Sequence, residues 1–238
     1  MDSPEAASTI ESLRYALYDL AAAVERRLGS GPVPQWRVCL LLTKSTCRLP
    51  WQEVLAASIE GGADAVQLRE KSLGDAELVQ HVRAVLSLAC GIPVIVNDRV
   101  DIAMAAGAAG VHLGQDDLSV RDVRRQCGRR LLIGVSTHGP TEVAAAVEAG
   151  ADYVGIGPIF ASHTRPDLEP AGTERVRASL PLLGHLPHLA IGGVSPENVA
   201  EVAASGGRGV AVGGGICGAD DPLVAARVCS DALGGIPA

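Results

Sequence analysis

Short runs of apolar residues recur from residue 38 onward, and each is followed by a segment whose apolar residues are spaced as in a helix. The apolar runs predict strands at 38–43, 65–69, 94–97, 110–113, 132–136, 153–156, 189–191 and 209–212. The segments between them predict helices at 51–60, 75–89, 101–106, 119–127, 141–149, 174–183, 196–204 and 222–233. Uniformly apolar strands that alternate with helices are typical of a parallel sheet covered by helices. Eight such units predict an α/β fold, the (β/α)8 TIM barrel.

A repeated turn supports this count of units. The segments 62–66, 107–111, 150–154 and 206–210 each place glycine at the end of a predicted helix and run directly into a predicted strand. Glycine at a helix end adopts the left-handed conformation at little cost, so the repeat by itself has a structural explanation. An open, doubly wound sheet is the alternative, but no GxGxxG motif follows the first strand.

The N-terminal segment differs from the rest of the chain. Apolar residues at helical spacing between residues 10 and 28 predict one amphipathic helix, with Ser8 and Glu11 as a capping box before it. We expect residues 1–34 to form an extra N-terminal helix and a linker, and residues 35–238 to form the TIM-barrel catalytic domain. The helix could cover the bottom of the barrel or pair with another subunit, so a homo-oligomer is left open.

Composition and charge narrow the class of protein. The 238 residues carry a formal net charge of −7 and no cluster of lysine and arginine, which argues against nucleic-acid binding. The six cysteines form no CxxC pair, which indicates a reduced, cytoplasmic protein. The sequence shows neither a signal peptide nor an apolar stretch long enough to span a bilayer, so we expect no membrane association. Small molecules are the expected partners.

Two acidic residues follow neighbouring strands of the predicted barrel. Asp98 comes directly after the third strand, and Asp117 comes shortly after the fourth. Adjacent parallel strands lie about 5 Å apart, so the two carboxylates should meet at the same rim. Such a pair repels unless a cation or a proton lies between the two groups. A metal site with only oxygen ligands favours Mg²⁺, and this ion usually needs phosphate oxygens to complete its coordination shell.

The second strand ends in polar residues that suit an anion. Alternation along the strand directs Gln67 and Arg69 to one face. Arg69 and Lys71 are suited to binding a diphosphate, because cationic side chains match its oxygens. An internal salt bridge from Arg69 to Glu70 or Asp98 is the alternative. His112 on the fourth strand could be either a core histidine or a site residue. The fifth strand ends at Ser136.

Two further connections indicate a second anion site. Two glycines follow the seventh strand at 192–193 and three follow the eighth strand at 213–215, a pattern that presents backbone N–H groups to a phosphate in this fold. The connection at 157–172 is long enough to be a substrate lid, with Arg165 as an anion contact. A mobile, solvated loop is the alternative for that connection.

Six motifs together resemble the thiamine-phosphate synthase family over about residues 38–233. They are QLREK (67–71), NDR (97–99), GVHLGQDD (110–117), IGVSTH (133–138), GADYVGIGPIF (150–160) and AIGG (190–193). The resemblance implies a Mg²⁺-dependent transferase of thiamine biosynthesis. It would join 4-amino-2-methyl-5-(diphosphomethyl)pyrimidine to 4-methyl-5-(2-phosphooxyethyl)thiazole and release diphosphate.

The same resemblance implies three groups of site residues. The pyrimidine diphosphate would be held by Gln67, Leu68, Arg69, Glu70, Lys71, Asn97, Ser136 and Arg165. The charges of Arg69, Lys71 and Arg165 would stabilise the leaving diphosphate. Asp98 and Asp117 would bind Mg²⁺. The thiazole phosphate would be held by Ser162, His163, Thr164, Gly193, Gly213 and Gly214.

The chain departs from the family's usual pattern at two places in the site. Arg165 stands where a lysine is usual, and Gly213 and Gly214 stand where a branched residue and a serine are usual. Two other functions are alternatives. A thiazole tautomerase shares the barrel but typically lacks the aspartate of the NDR motif, and a non-catalytic regulator would bind a phosphate ligand without turnover. Retention of Asp98, with Lys71 and Asp117, favours the synthase.

Overall fold

Eight parallel strands close into a barrel in the computed structural model, which describes residues 33–162 and 169–234. Each strand pairs with the next in the chain, and the last pairs with the first. The predicted TIM barrel is therefore confirmed. The strands are β1 (Val38–Leu42), β2 (Ala65–Leu68), β3 (Val94–Asn97), β4 (Gly110–Leu113), β5 (Leu132–Thr137), β6 (Tyr153–Ile156), β7 (His188–Ile191) and β8 (Val210–Val212).

Helices follow the strands and form the outer layer. All eight predicted helices are present, and the helix after β7 begins three residues later than predicted. The nine α-helices in the described part of the chain are α1 (Trp51–Glu60), α2 (Asp75–Leu88), α3 (Val100–Ala106), α4 (Val120–Cys127), α5 (Pro140–Ala149), α6 (Glu174–Leu183), α7 (Val199–Ala204), α8 (Gly214–Cys217) and α9 (Pro222–Gly234). The short helix α8 was not predicted.

The repeated glycine turn has the structural role that the sequence suggested. Gly107 and Gly150 end α3 and α5 with φ angles of 78° and 82°, and each donates its backbone N–H to the preceding turn. Gly62 and Gly206 in the other two copies also have positive φ. A side chain would be strained in this left-handed region, which explains glycine at these helix ends.

The apolar core has two parts, because the strands bury both of their faces. The larger part lies between the strands and the helices and consists mainly of valine, leucine, isoleucine and alanine. The smaller part includes Cys39, Ile95, Leu189 and the edge-to-face pair Trp36 and Tyr153, whose ring centroids are 5.0 Å apart. This smaller part fills the barrel toward the amino ends of the strands, which leaves the carboxyl ends for the site.

Two further expectations concern the N-terminal segment and membrane-spanning helices. The predicted N-terminal helix, with Ser8 and Glu11, lies outside the described residues, and the division at residues 34 and 35 stays a prediction. Within the described ranges, no helix is both long and apolar enough to cross a bilayer.

Candidate active site

The carboxyl ends of the strands surround a cavity of about 740 Å³. Most of the expected site residues line it, although they come from seven different strands and the connections that follow them. The structure brings together Gln67, Arg69, Lys71, Asn97, Asp98, Asp117, Ser136, Ser162, Gly193, Gly213 and Gly214. His163, Thr164 and Arg165 lie outside the described residues.

Leu68 and Glu70 do not line this cavity, although the resemblance assigned them to the substrate. Leu68 is 1% exposed and packs between the barrel and its helices. The Glu70 carboxylate accepts the Lys44 backbone N–H at 2.6 Å and lies 3.6 Å from Nε2 of buried His81. Alternation along β2 turns these two side chains outward, whereas Gln67 and Arg69 face the cavity. Direct contact between a ligand in the cavity and the side chains of Leu68 and Glu70 is therefore not supported.

Asp98 and Asp117 face each other across the rim, as the strand order predicts. Their carboxyl groups are within hydrogen-bonding distance. Burial, together with the charge and hydrogen bond of Asp117, raises the pKa of Asp98 to about 6, while the charges of Lys71 and Arg69 oppose that rise. The Gly114 backbone N–H donates to Asp117 Oδ2 at 2.7 Å and so fixes its orientation. A proton or a cation between the two carboxyl groups would relieve their repulsion.

The chemistry of this pair fits a magnesium ion. Both donors are carboxylate oxygens, which suit hard cations. In the part of the chain that the structure describes, no group of three or more histidine, cysteine and acidic side chains is arranged to hold a metal. Two carboxylates alone would leave most of an octahedral shell to water and to phosphate oxygens of a ligand. The site therefore suits a metal that arrives with, or is completed by, a phosphorylated substrate.

Amide side chains prepare the neighbouring wall for a polar ligand. Gln67 Nε2 donates to Asn97 Oδ1 at 2.7 Å, which leaves the Gln67 oxygen and the Asn97 amide N–H groups for other partners. Gln115 also lines the cavity and donates from Nε2 to the Ser136 backbone oxygen at 2.5 Å. These bonds fix the direction of the donors and acceptors before a ligand binds.

His112 is buried in the core and also lines the cavity, so both alternatives that the sequence left open apply to it. Its side chain is 4% exposed, and burial lowers its pKa to about 4, so the imidazole is neutral at pH 7. Nδ1 lies 3.0 Å from the Tyr153 hydroxyl, and Nε2 lies 2.9 Å from Ser136 Oγ. Tyr153 was not among the expected site residues, because its strand is apolar and gives no sign of a polar contact.

The glycines after β7 form a tight turn against the connection after β6. Gly192 and Gly193 have φ angles of 95° and 63°, and a Cβ atom at Gly193 would lie 2.2 Å from the Ala161 carbonyl oxygen. Asn198 braces this turn, because its Oδ1 accepts the Ser195 N–H at 2.8 Å and its Nδ2 donates to the Gly193 oxygen at 2.9 Å. Asn198 was also missed from the sequence, where it lies inside a predicted helix.

The glycines after β8 complete this wall of the cavity, so that residues 192–195 and 213–215 together form a glycine cradle. A Cβ atom at Gly215 would lie 2.9 Å from the Ser195 Cα, which explains the absence of a side chain there. A Cβ atom at Gly214 would meet no atom within 4 Å. Bare backbone at this point can approach a phosphate closely.

The base of the long connection after β6 is held by an arginine. Arg175 Nη1 donates to the Gly157 carbonyl oxygen at 2.6 Å, and the Phe160 backbone N–H donates to Gly192 at 2.8 Å. These bonds place Ser162 at the edge of the cavity, beside the glycine cradle.

Known proteins are similar to this chain over most of its length. A family model described as thiamine monophosphate synthase matches residues 38–216. A thiamine-phosphate synthase from Chloroflexus aurantiacus is 41% identical over 199 residues, which cover 82% of this chain and 91% of the relative. Another from Xanthobacter autotrophicus is 44% identical over 179 residues, covering 74% and 85% of the two chains.

Solved structures give the same result at the level of the backbone. Thiamine phosphate pyrophosphorylase from Pyrococcus furiosus is similar with a TM-score of 0.74 and 29% identity, and the match covers 83% of this chain and 95% of that one. A 3-hexulose-6-phosphate synthase has a TM-score of 0.62 at 19% identity, a likeness that concerns the fold alone.

Proposed function

Because this chain belongs to the thiamine monophosphate synthase family, we propose that its cavity binds a pyrimidine diphosphate beside Asp98 and Asp117 and a thiazole phosphate in the glycine cradle. The chain acts as a thiamine-phosphate synthase, a transferase of thiamine biosynthesis. The observation that carries the proposed arrangement is the contact between the two carboxyl groups at the barrel rim.

Asp98 and Asp117 would hold Mg²⁺ at this contact. When bound, the ion would neutralise charge on the diphosphate oxygens and so make diphosphate a better leaving group. The raised pKa of Asp98 supports the assignment, because burial and the neighbouring Asp117 raise it and the charges of Lys71 and Arg69 oppose that rise only in part. A structural ion pair would instead place a cationic group directly between the two acids.

Cationic side chains act on the leaving group. Arg69 and Lys71 line the cavity close enough for their charges to influence Asp98, so they can reach a diphosphate held at the same rim. Arg165 would add a third charge from the connection after β6. These groups stabilise negative charge that increases as the bond to the diphosphate breaks, which is where electrostatic preorganisation is most effective.

The reaction needs positioning more than acid or base catalysis. The methylene carbon loses diphosphate, which leaves with the bonding electrons, and the thiazole nitrogen then supplies a lone pair to form the new C–N bond. No proton has to move in this step. Gln67, Asn97 and Ser136 would orient the pyrimidine ring and its diphosphate, and such positioning can supply a large part of the rate. The site accordingly needs no Ser-His-Asp set.

The thiazole phosphate would lie on the other side of the cavity. Gly193, Gly213 and Gly214 would present backbone N–H groups, and Ser162, His163 and Thr164 would contribute from the long connection. Two separate anion sites on opposite walls would direct the thiazole nitrogen and the pyrimidine methylene carbon toward each other. This arrangement favours a two-substrate transferase over a protein that binds one phosphate ligand.

The proposed setting is a reduced compartment, the cytoplasm, with small molecules as the partners. All six cysteines fall within the described ranges, and all are free thiols.

Mixing both substrates with and without Mg²⁺ and measuring released diphosphate tests this function. We expect diphosphate and thiamine phosphate in equal amounts, and only when Mg²⁺ is present. A thiazole tautomerase would convert a thiazole substrate alone without Mg²⁺, and a regulator would bind ligand without forming product. Either of these results would replace the proposed function.

A further inference from the structure

Three side chains from adjacent strands form a hydrogen-bonded line from the core of the barrel to its cavity. Tyr153 on β6 is fully buried, His112 on β4 is 4% exposed, and Ser136 on β5 lines the cavity. The Tyr153 hydroxyl lies 3.0 Å from His112 Nδ1, and Ser136 Oγ lies 2.9 Å from His112 Nε2. The imidazole thus links a buried phenol to a hydroxyl that a ligand can reach.

Two glycines make room for this line. His112 is paired with Gly134 across β4 and β5, and Gly134 is paired with Tyr153 across β5 and β6. A Cβ atom at Gly134 would lie 2.1 Å from the Tyr153 ring, and one at Gly155 would lie 3.2 Å from His112 Cε1. Because β5 has no side chain at this level, the Tyr153 hydroxyl can cross it to reach His112.

The protons in the line can be arranged in only two ways. In the first arrangement the Tyr153 O–H donates to Nδ1, the imidazole N–H on Nε2 donates to Ser136, and the Ser136 proton is free for a ligand. In the second, Ser136 donates to Nε2, Nδ1–H donates to Tyr153, and the Tyr153 proton needs another acceptor. Across residues 33–162 and 169–234, the hydrogen bond found for the Tyr153 hydroxyl is the one to His112.

Burial decides between these arrangements. A buried hydroxyl proton without an acceptor is costly, because it has lost its bonds to water. The first arrangement gives the Tyr153 proton an acceptor, whereas the second leaves it without one. A charged imidazole is costly at a position that is only 4% exposed, and a neutral imidazole carries a single N–H that must be on one nitrogen or the other.

We propose that Tyr153 and His112 are positioning residues that fix Ser136 as a hydrogen-bond donor toward an acceptor atom of the pyrimidine diphosphate. This inference rests on the proposed function for the identity of the ligand. Tyr153 selects the Nε2–H tautomer of His112, and that tautomer occupies a lone pair of Ser136 Oγ. The Ser136 proton then points into the cavity, so the site favours a ligand with an acceptor at this position and rejects one with a donor.

The tautomer can be measured directly in the wild-type chain. In ¹⁵N spectra of histidine-labelled protein at pH 7, we expect His112 to show a protonated Nε2 and an unprotonated Nδ1. Its resonances are assigned by their loss in a His112→Gln variant. A protonated Nδ1 would overturn the proposal, and this measurement requires neither substrate nor turnover.

A double-mutant cycle tests the effect on the ligand. Tyr153→Phe removes the hydroxyl and retains the ring that packs on Trp36. We expect kcat/KM for the pyrimidine diphosphate to fall about fivefold, the effect of one hydrogen bond, while the KM for the thiazole phosphate stays unchanged. In a Ser136→Ala background the same change should cause no further fall, because the donor that it positions is gone.

The two proposals fail in distinguishable ways. An equal loss of kcat/KM from Tyr153→Phe in the presence and absence of the Ser136 hydroxyl would mean that Tyr153 acts on the fold alone. That result would overturn the proposed positioning role of Tyr153 and His112. If the wild-type chain formed no thiamine phosphate, the proposed function would fail. The ¹⁵N spectrum would still decide whether Tyr153 sets the tautomer of His112.

Discussion

Asp98 adopts a backbone conformation that residues other than glycine, asparagine and aspartate seldom adopt. Its φ angle is 63°, and its backbone N–H donates to the His112 carbonyl oxygen at 2.8 Å on the neighbouring strand. The left-handed region is costly for most residues and is found at functional sites more often than elsewhere. Asparagine accepts this conformation nearly as well as aspartate, so the charge can be removed without disturbing the turn.

Asp98→Asn should abolish most activity and leave the fold intact. The variant loses one of two carboxylate ligands, so we expect kcat/KM to fall at least about a hundredfold, with little change in the thermal unfolding midpoint. The matched control is Asp116→Asn, which changes a neighbouring carboxylate at the same cavity. Steady-state kinetics at saturating Mg²⁺ and a thermal melt test both. Near-normal kcat/KM in Asp98→Asn would refute the metal assignment.

At the scale of single residues, the sequence predicts which side chains meet better than it predicts how they are held. The meeting of Asp98 and Asp117 follows from strand order alone. Alternation along β2 predicts the inward direction of Gln67 and Arg69, whereas the resemblance assigned the whole QLREK motif to the ligand. The contact of Tyr153 could not be predicted, because it depends on a missing side chain at Gly134 on the strand between.

The turn after β7 shows how one side chain shapes an element. The sequence predicts a helix from residue 196, but α7 begins at Val199 because residues 195–198 form the turn that Asn198 braces. Helical periodicity cannot show that an asparagine side chain bonds backward to the turn rather than outward to solvent. The glycine signal therefore predicts the cradle, and the structure adds the residue that holds it.

Asn198→Ala should loosen the cradle and weaken binding of the thiazole phosphate. Two hydrogen bonds are lost, each contributing about 1 kcal/mol, so we expect its KM to rise about tenfold or more. The KM for the pyrimidine diphosphate should change little, because that substrate is proposed to bind the other wall. Glu201→Gln, an exposed position on the same helix, is the matched control. A rise in both KM values together would contradict a local role for Asn198.

The glycine pair after β8 offers a gain-of-function test. Gly214→Ser restores a hydroxyl at a position where a Cβ atom meets nothing within 4 Å and where φ is not positive. We expect unchanged stability and a KM for the thiazole phosphate lowered about threefold to tenfold, the effect of one added hydrogen bond. Gly214→Ala adds the same carbon without the hydroxyl and should leave the KM unchanged. Equal effects of the two substitutions would show that the hydroxyl makes no bond to the phosphate.

The whole barrel is predictable because its local signals agree. Apolar strands, helical spacing and left-handed glycine turns all indicate the same eight-unit architecture, and the strand bounds differ from the predicted ones by at most one residue. The shape of the cavity is less predictable, because it depends on contacts between strands that are distant in the chain. The pairing of Trp36 with Tyr153 beneath the site is one such contact.

The barrel should lose stability in mild acid through a histidine far from the proposed metal ligands. Burial and then the charge of Arg208 lower the pKa of His188 to about 4, and its Nε2 accepts the Arg208 backbone N–H at 3.2 Å. The unfolded chain, with a histidine pKa near 6.5, binds more protons below that pH. The contribution of neutral, buried His188 to the free energy of unfolding is therefore complete above pH 6.5 and is lost as the pH falls toward 4.

His188→Gln should reduce this pH dependence, because glutamine can accept the same N–H bond and does not titrate. Between pH 7 and pH 5 we expect the free energy of unfolding of the wild-type chain to fall about 2 kcal/mol more than that of the variant. Denaturant unfolding at both pH values measures the difference. Parallel pH dependences in the two proteins would contradict the role given to His188.

Binding of the pyrimidine diphosphate, measured calorimetrically with and without Mg²⁺, tests the carboxylate pair most directly. In the wild-type chain, we predict that Mg²⁺ lowers the Kd at least about tenfold, since the ion would join the substrate to Asp98 and Asp117. The Asp98→Asn chain should bind with one weak affinity in both conditions. Equal affinities of the wild-type chain with and without Mg²⁺ would contradict the account.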